Sequence, residues 1–333
     1  MVLMARNKVA VEMMGMVAAV LMLLSGDLGA QRPHQTTDGP GSKAIPRTAD
    51  GKPDLQGDWT NATYTPLERP EALKEKEFFT PEEAAAYAKR RQDAASQQAV
   101  DTHYENAIWM TEKRQRTLAS LRTSIIVVPH DGRIPPMNAE GRRRAAAHAA
   151  ARKDLDPLGA VQAMDLSDRC IYWLHEGPPI LPTGYNSNLR IVQAPGTFVV
   201  MPEMMGVARI VPLGGQPRVS QALKSLRGES RGSWEADTLV IETTHFDERR
   251  DWRGTSDALK VTERFTMVDP DTIKYEFSID DPKTWDISWK GEVVMTRMTE
   301  PIFEYACHEG NYGVSNILRG QRKVEAETVG GSR

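Results

Sequence analysis

Several standard signatures are missing from this chain of 333 residues. It has no Gly-x-x-x-x-Gly-Lys-Ser/Thr phosphate loop, no Gly-x-Gly-x-x-Gly dinucleotide fingerprint and no Gly-x-Ser-x-Gly nucleophile elbow. No organic cofactor is therefore implied. Charge of one sign is lacking too: 42 Lys+Arg against 45 Asp+Glu give a formal net charge of -3. The basic footprint that a general nucleic-acid binder needs to displace counterions from phosphate is absent. Cysteine is scarce, with two in all, Cys170 and Cys307, so one internal bridge is the most the chain can form. Apolar residues make up 40% and charged residues 26%, which is enough for a core and excludes wholesale disorder.

The apolar run from Met13 to Leu24 is too short to span a bilayer comfortably. Arg6 and Lys8 precede it, and Leu28-Gly29-Ala30 offers small residues for cleavage. Residues 1–30 are therefore expected to be a signal peptide, with a periplasmic or secreted product that has no membrane span after cleavage near Ala30. An exported chain meets an oxidising environment, in which Cys170 and Cys307 either pair or remain two separate buried thiols. Residues 31–53, rich in Gly, Pro, Ser and Thr, are expected to be a disordered linker.

A single domain is expected over 54–320, with a helical insert at 80–153 and a disordered tail at 321–333. Thr80-Pro81-Glu82-Glu83 has a hydroxyl cap, Pro at the first helical position and Glu at the third, which predicts a helix to about residue 94. Further helices are predicted at 108–121 and 139–153, the latter with Arg142, Arg143 and Arg144 on a solvated face. Between them Ser124 to Val128 is a β-branched run closed by Pro129 and Asp131-Gly132, which predicts a buried strand.

Beyond Asp165 the period becomes two. Strands are predicted over 190–193, 197–201, 207–213, 232–234, 238–246, 259–268, 272–279, 292–298 and 302–308, punctuated by turns such as Ala194-Pro195-Gly196 and Asp269-Pro270-Asp271. Ile273, Tyr275, Phe277 and Ile279 share one face, opposite Lys274, Glu276 and Ser278. So many short antiparallel strands curl and close, because closure removes exposed edges. The fold class is mainly β: an antiparallel meander closing into a barrel, with an α-helical insert near the N-terminus.

Gly57-Asp58-Trp59, at the start of this meander, resembles the Gly-x-Trp signature of lipocalin-type (calycin) barrels, in which the Trp sits at the closed end. Residues 168–195, 228–254 and 302–313 resemble an uncharacterised family of exported proteins from soil bacteria of acidobacterial type. The resemblance implies export and a shared fold. It carries no activity, and the insert at 80–153 is an addition to a minimal lipocalin.

His-Glu-Gly occurs twice, at His175-Glu176-Gly177 and His308-Glu309-Gly310, each shortly after a cysteine. A bridge between Cys170 and Cys307 would bring both into one neighbourhood. Two imidazoles and two carboxylates there would suit a metal such as zinc or acid–base chemistry, and the alternative is that both histidines cap strand ends. The segment from Pro178 to Arg190 carries three prolines and the directional side chains Tyr185, Asn186, Asn188 and Arg190. It suits either a rigid loop over a site or a crossing that closes the barrel. Glu242 and Glu263 are expected to face water, and a buried Arg such as Arg264 or Arg297 would have to answer them if they did not. His245 is expected inside, as a satisfied core histidine.

The leading expectation is a small-molecule-binding barrel in which Glu176, Tyr185, Asn186, Asn188, Arg190, Asn311 and Tyr312 orient the ligand. The rival is a cofactor-independent lyase, isomerase or hydrolase using His175, His308 and Glu309. A third alternative is a cell-envelope interaction protein with a solid barrel.

Overall fold

Strand alternation is most regular where the sequence alternates most strictly. In the computed structural model, which describes residues 44–97, 120–153, 155–156, 158–250 and 252–330, β8 (Lys260–Asp269), β9 (Thr272–Asp280) and β10 (Trp289–Arg297) bury every second side chain. Ile273, Tyr275, Phe277 and Ile279 all point into the core. Among the described residues there are ten strands, the others being β1 (Gly57–Thr60), β2 (Ile126–Val128), β3 (Asn188–Ala194), β4 (Thr197–Pro202), β5 (Arg209–Pro212), β6 (Glu229–Glu235) and β7 (Thr238–Thr244). The named helices are α1 (Pro81–Gln97), α2 (Ala139–Lys153) and α3 (Gly313–Gly330).

All ten strands belong to one antiparallel sheet, ordered β5-β4-β3-β1-β10-β9-β8-β7-β6, with β2 paired to β10. A parallel bridge from Leu213 to Gly232 brings the ends together into a nearly closed barrel. Gly232 permits that seam: a Cβ there would lie 2.5 Å from Leu213 Cδ2. Pairing of β1 with both β3 and β10 seats Trp59 in the core, where its Nε1–H donates to Leu55 O at 2.9 Å and the Arg297 guanidinium lies 4.2 Å above its ring. Gly57, at φ +128, leaves room for that same guanidinium.

Aromatic side chains fill the middle of the barrel. Phe198, Phe265, Tyr275, Phe277 and Trp289 form a continuous ladder with successive centroids 5.0–6.1 Å apart. Trp252 and Trp285 extend it. Burying each large apolar side chain contributes roughly 1.5–3 kcal/mol, with about 0.5–1.5 kcal/mol more for a well-oriented aromatic pair. A solid interior, unlike the cup of a simple lipocalin, places any larger site at the rim.

The insert starts as its capping chemistry predicts: Glu83 N–H donates to Thr80 Oγ1, and Thr80 N–H donates to Glu83 Oε2. At α2, Asn138 caps Gly141 N–H and also donates to Pro282 O. Arg144 departs from the expected solvated face, donating to Gly254 O and Thr284 Oγ1 and so docking the helix. The helix predicted at 108–121 lies, except for its last two residues, outside the described residues, as do the signal peptide and most of the linker.

Three boundaries differ from expectation. Residues 44–53 are ordered, with Arg47 bridged to Pro53 and ion-paired to Asp237. The segment 302–308 is not a strand, because the edge of β10 that it would join is taken by β1 and β2. The chain from 313 to 330 is α3, where an unstructured tail was expected from 321.

Candidate functional site at the barrel rim

A disulfide joins Cys170 to Cys307, with Cα atoms 5.8 Å apart and a sequence separation of 137. It ties the 302–310 loop across one end of the barrel to the turns around Cys170. Between this loop, the Tyr185–Asn186 turn and the start of α3 lies an open groove of about 1260 Å³. Trp173, Tyr185, Phe303 and Tyr305 supply aromatic surface, and Asn186 and Asn311 supply amides. Its carboxylates include Asp168, Glu300, Glu304 and Glu309. Arg152 is the cation among its lining residues and is paired with Asp165 at 2.9 Å.

The predicted site residues divide. Tyr185, Asn186, Glu309 and Asn311 line the groove. Asn311 also caps Gly313 N–H through Oδ1, and its Nδ2 lies 3.4 Å from Cys170 Sγ. Asn188 is buried beneath it and donates from its amide to Glu203, which in turn accepts from Phe303 N–H at 3.1 Å. Arg190 is elsewhere: on the outer wall it grips Asp58 through two hydrogen bonds of 2.7 and 2.9 Å, joining β3 to β1. The alternation that buries Leu189 and Ile191 turns Arg190 outward. Tyr312, 72% exposed, immediately precedes α3 and lies outside the groove lining.

The two His-Glu-Gly segments occupy different settings. His308 is exposed on the loop, whereas His175 is half-buried and lines a small recess behind the groove. Burial, reinforced by the Arg253 charge, holds the His175 pKa below its ordinary value. Glu176 is 6% exposed and ion-paired with Arg227 at 2.6 Å. Burial outweighs that partner and raises its pKa to about 7. Among the described residues, no group of three or more His, Cys, Asp or Glu could hold a metal ion.

Sequence parity missed a buried polar framework under this end. Glu263, expected in water, is 0% exposed. It is answered not by Arg264 or Arg297 but by Arg209, whose Nη2 donates to Glu263 Oε1 at 2.9 Å with a second bond from Nη1. Tyr275 OH donates to the same carboxylate at 2.8 Å and accepts from Ile180 N–H at 2.8 Å. Arg250 donates to Tyr172 OH at 2.7 Å and to Pro178 O, while stacking on Phe246 and Trp252. The Pro-rich crossing is thus bolted to the barrel at Pro178 and Ile180. The signal was present: Val261, Glu263, Phe265 and Met267 share one face, as do Arg209 and Val211. His245 is inside as expected, with Nδ1 bonded to Thr244 Oγ1 at 2.9 Å, but its Nε2 is buried without a partner, so it is not the fully satisfied histidine expected; Glu242 faces solvent.

No protein-family model, curated protein or solved structure matches the chain. The fold and rim geometry define it as an antiparallel barrel with a disulfide-held groove. Among the described residues no helix is long and apolar enough to cross a membrane.

Proposed function

We propose that this is an exported small-molecule-binding protein whose site is the groove at the disulfide rim. One observation carries the proposal: the disulfide gathers Tyr185, Asn186, Glu309 and Asn311 around aromatic surface at the end of a barrel whose middle is filled. Concave sites that combine apolar lining with a few placed polar groups are the usual form of ligand pockets. The surplus of carboxylates disfavours anions, so the ligand is neutral or cationic and partly apolar. Export is supported by the disulfide and by the N-terminal pattern.

Native mass spectrometry of the protein recovered from its exporting host tests the proposal. A bound organic mass is expected on the wild type and a reduced fraction on Tyr185→Ala. Bare protein, or equal loading of the variant, would contradict it. A second reading, proton-transfer catalysis, rests on the Glu176 carboxyl at about pKa 7 beside His175. It confines the chemistry to the first His-Glu-Gly segment, because His308 stands apart on the exposed loop. Chemical turnover of the bound compound, lost in His175→Ala with the thermal midpoint kept, would favour it.

A further inference from the structure

Behind the groove lies a recess of about 20 Å³, and Trp173 and Asn186 line both. A single oxygen needs roughly 10–15 Å³, so the recess admits one hydroxyl-sized group. Four of its lining side chains carry buried polar atoms with no hydrogen-bond partner: Asn61 Oδ1, Trp173 Nε1, His175 Nδ1 and both oxygens of the Glu176 carboxyl, which is held instead as an ion pair with Arg227 at 2.6 Å. Asn61 itself is 2% exposed, and its backbone N–H is spent on Ser187 O. Asn188 is engaged with Glu203 and Ser187 with Thr183.

With the Glu176 carboxyl held by Arg227, the remaining three have a definite complement. Asn61 Oδ1 accepts, Trp173 Nε1–H donates, and a neutral His175 donates when its proton is on Nδ1. A hydroxyl offers one donor and two acceptor lone pairs, which satisfies all three. An ether lacks the donor and strands Asn61 Oδ1. An ammonium lacks the acceptors and strands the two N–H groups. A buried polar atom left unpaired is costly, so such a site rejects the analogue lacking the hydroxyl strongly.

We propose that this recess is the specificity subsite of the groove and takes a hydroxyl group, supplied by water in the free protein and by an alcohol-bearing ligand when the groove is filled. The inference rests on the groove being the binding site, and it deepens that reading by naming the ligand class as an alcohol attached to an apolar body.

The probes are 2-phenylethanol, its methyl ether and 2-phenylethylamine, titrated while the Trp173 indole N–H is followed by NMR, its signal assigned with Trp173→Phe. The alcohol is expected to move that signal and to bind at least tenfold more tightly than the ether or the amine. Asn61→Leu should bring alcohol and ether within about threefold, with unchanged ether affinity showing that the fold is intact. A crystal structure with the alcohol separates the two sources of the hydroxyl: the expected result is the ligand oxygen in the recess. A retained water there, with the ligand elsewhere in the groove, would overturn the subsite. Equal affinity for alcohol and ether would overturn it too, while leaving the groove reading standing. Failure of all three probes to bind would reject the hydroxyl subsite, and the groove itself is judged separately by the native mass measurement.

Discussion

Glu176 couples protonation to folding. Its pKa is about 7 in the folded chain against an ordinary 4.5, because burial outweighs the Arg227 and Arg250 charges that face it. Between these values the folded state holds more protons than the unfolded state, so stability falls as pH rises from about 4.5 to about 7 and stays lower above. The difference amounts to about 3 kcal/mol. Glu176→Gln should flatten this dependence, and urea unfolding of both proteins at pH 5 and pH 8 checks it. Parallel shifts in the two would contradict the assignment. Arg209 and Glu263 make a second prediction: Arg209→Met leaves a carboxylate buried without its cation and should cost about 3–5 kcal/mol, whereas the double variant with Glu263→Leu should recover much of that loss. Equal destabilisation by the single and double variants would show that Glu263 is not held as a charge by Arg209. Strand alternation puts Glu263 on the face of Val261, Phe265 and Met267, yet it was expected in water because a carboxylate is ordinarily assigned to solvent, and its partner Arg209 lies 54 positions away in sequence. That pairing distance, not the local pattern, is what the sequence conceals.

At the scale of elements, regular alternation made β8, β9 and the capped start of α1 legible. The strand expected at 302–308 failed because local β-propensity says nothing about whether a sheet edge is free. Helix α3 was missed because it buries little: Val314, Ile317 and Val324 follow helical spacing, yet Ile317 and Val324 are exposed, and Arg322–Glu325 contributes only a surface pair. The barrel seam yields a further prediction. Gly232→Val would push a branched side chain into Leu213 and should cost about 1–3 kcal/mol. Its signature in hydrogen exchange should be faster exchange in β5 and β6 with β8 to β10 unchanged, and uniform loss of protection would contradict a local seam.

For the whole molecule, composition and period were sufficient for a mainly β barrel, and the two cysteines for a possible bridge. Whether the barrel was hollow was not legible, since inward aromatics suit both a lined cup and a filled core. The aromatic ladder decides this by packing ring against ring. On the proposed function it also separates stability, vested in the barrel, from binding, which would be vested in the rim that the disulfide holds. Reduction of Cys170–Cys307 tests that separation most directly, with the bound mass followed by native mass spectrometry and the core aromatics by near-ultraviolet circular dichroism. The prediction is loss of the bound molecule with the aromatic spectrum retained; a reduced protein that keeps its ligand would contradict a site built by the disulfide rim.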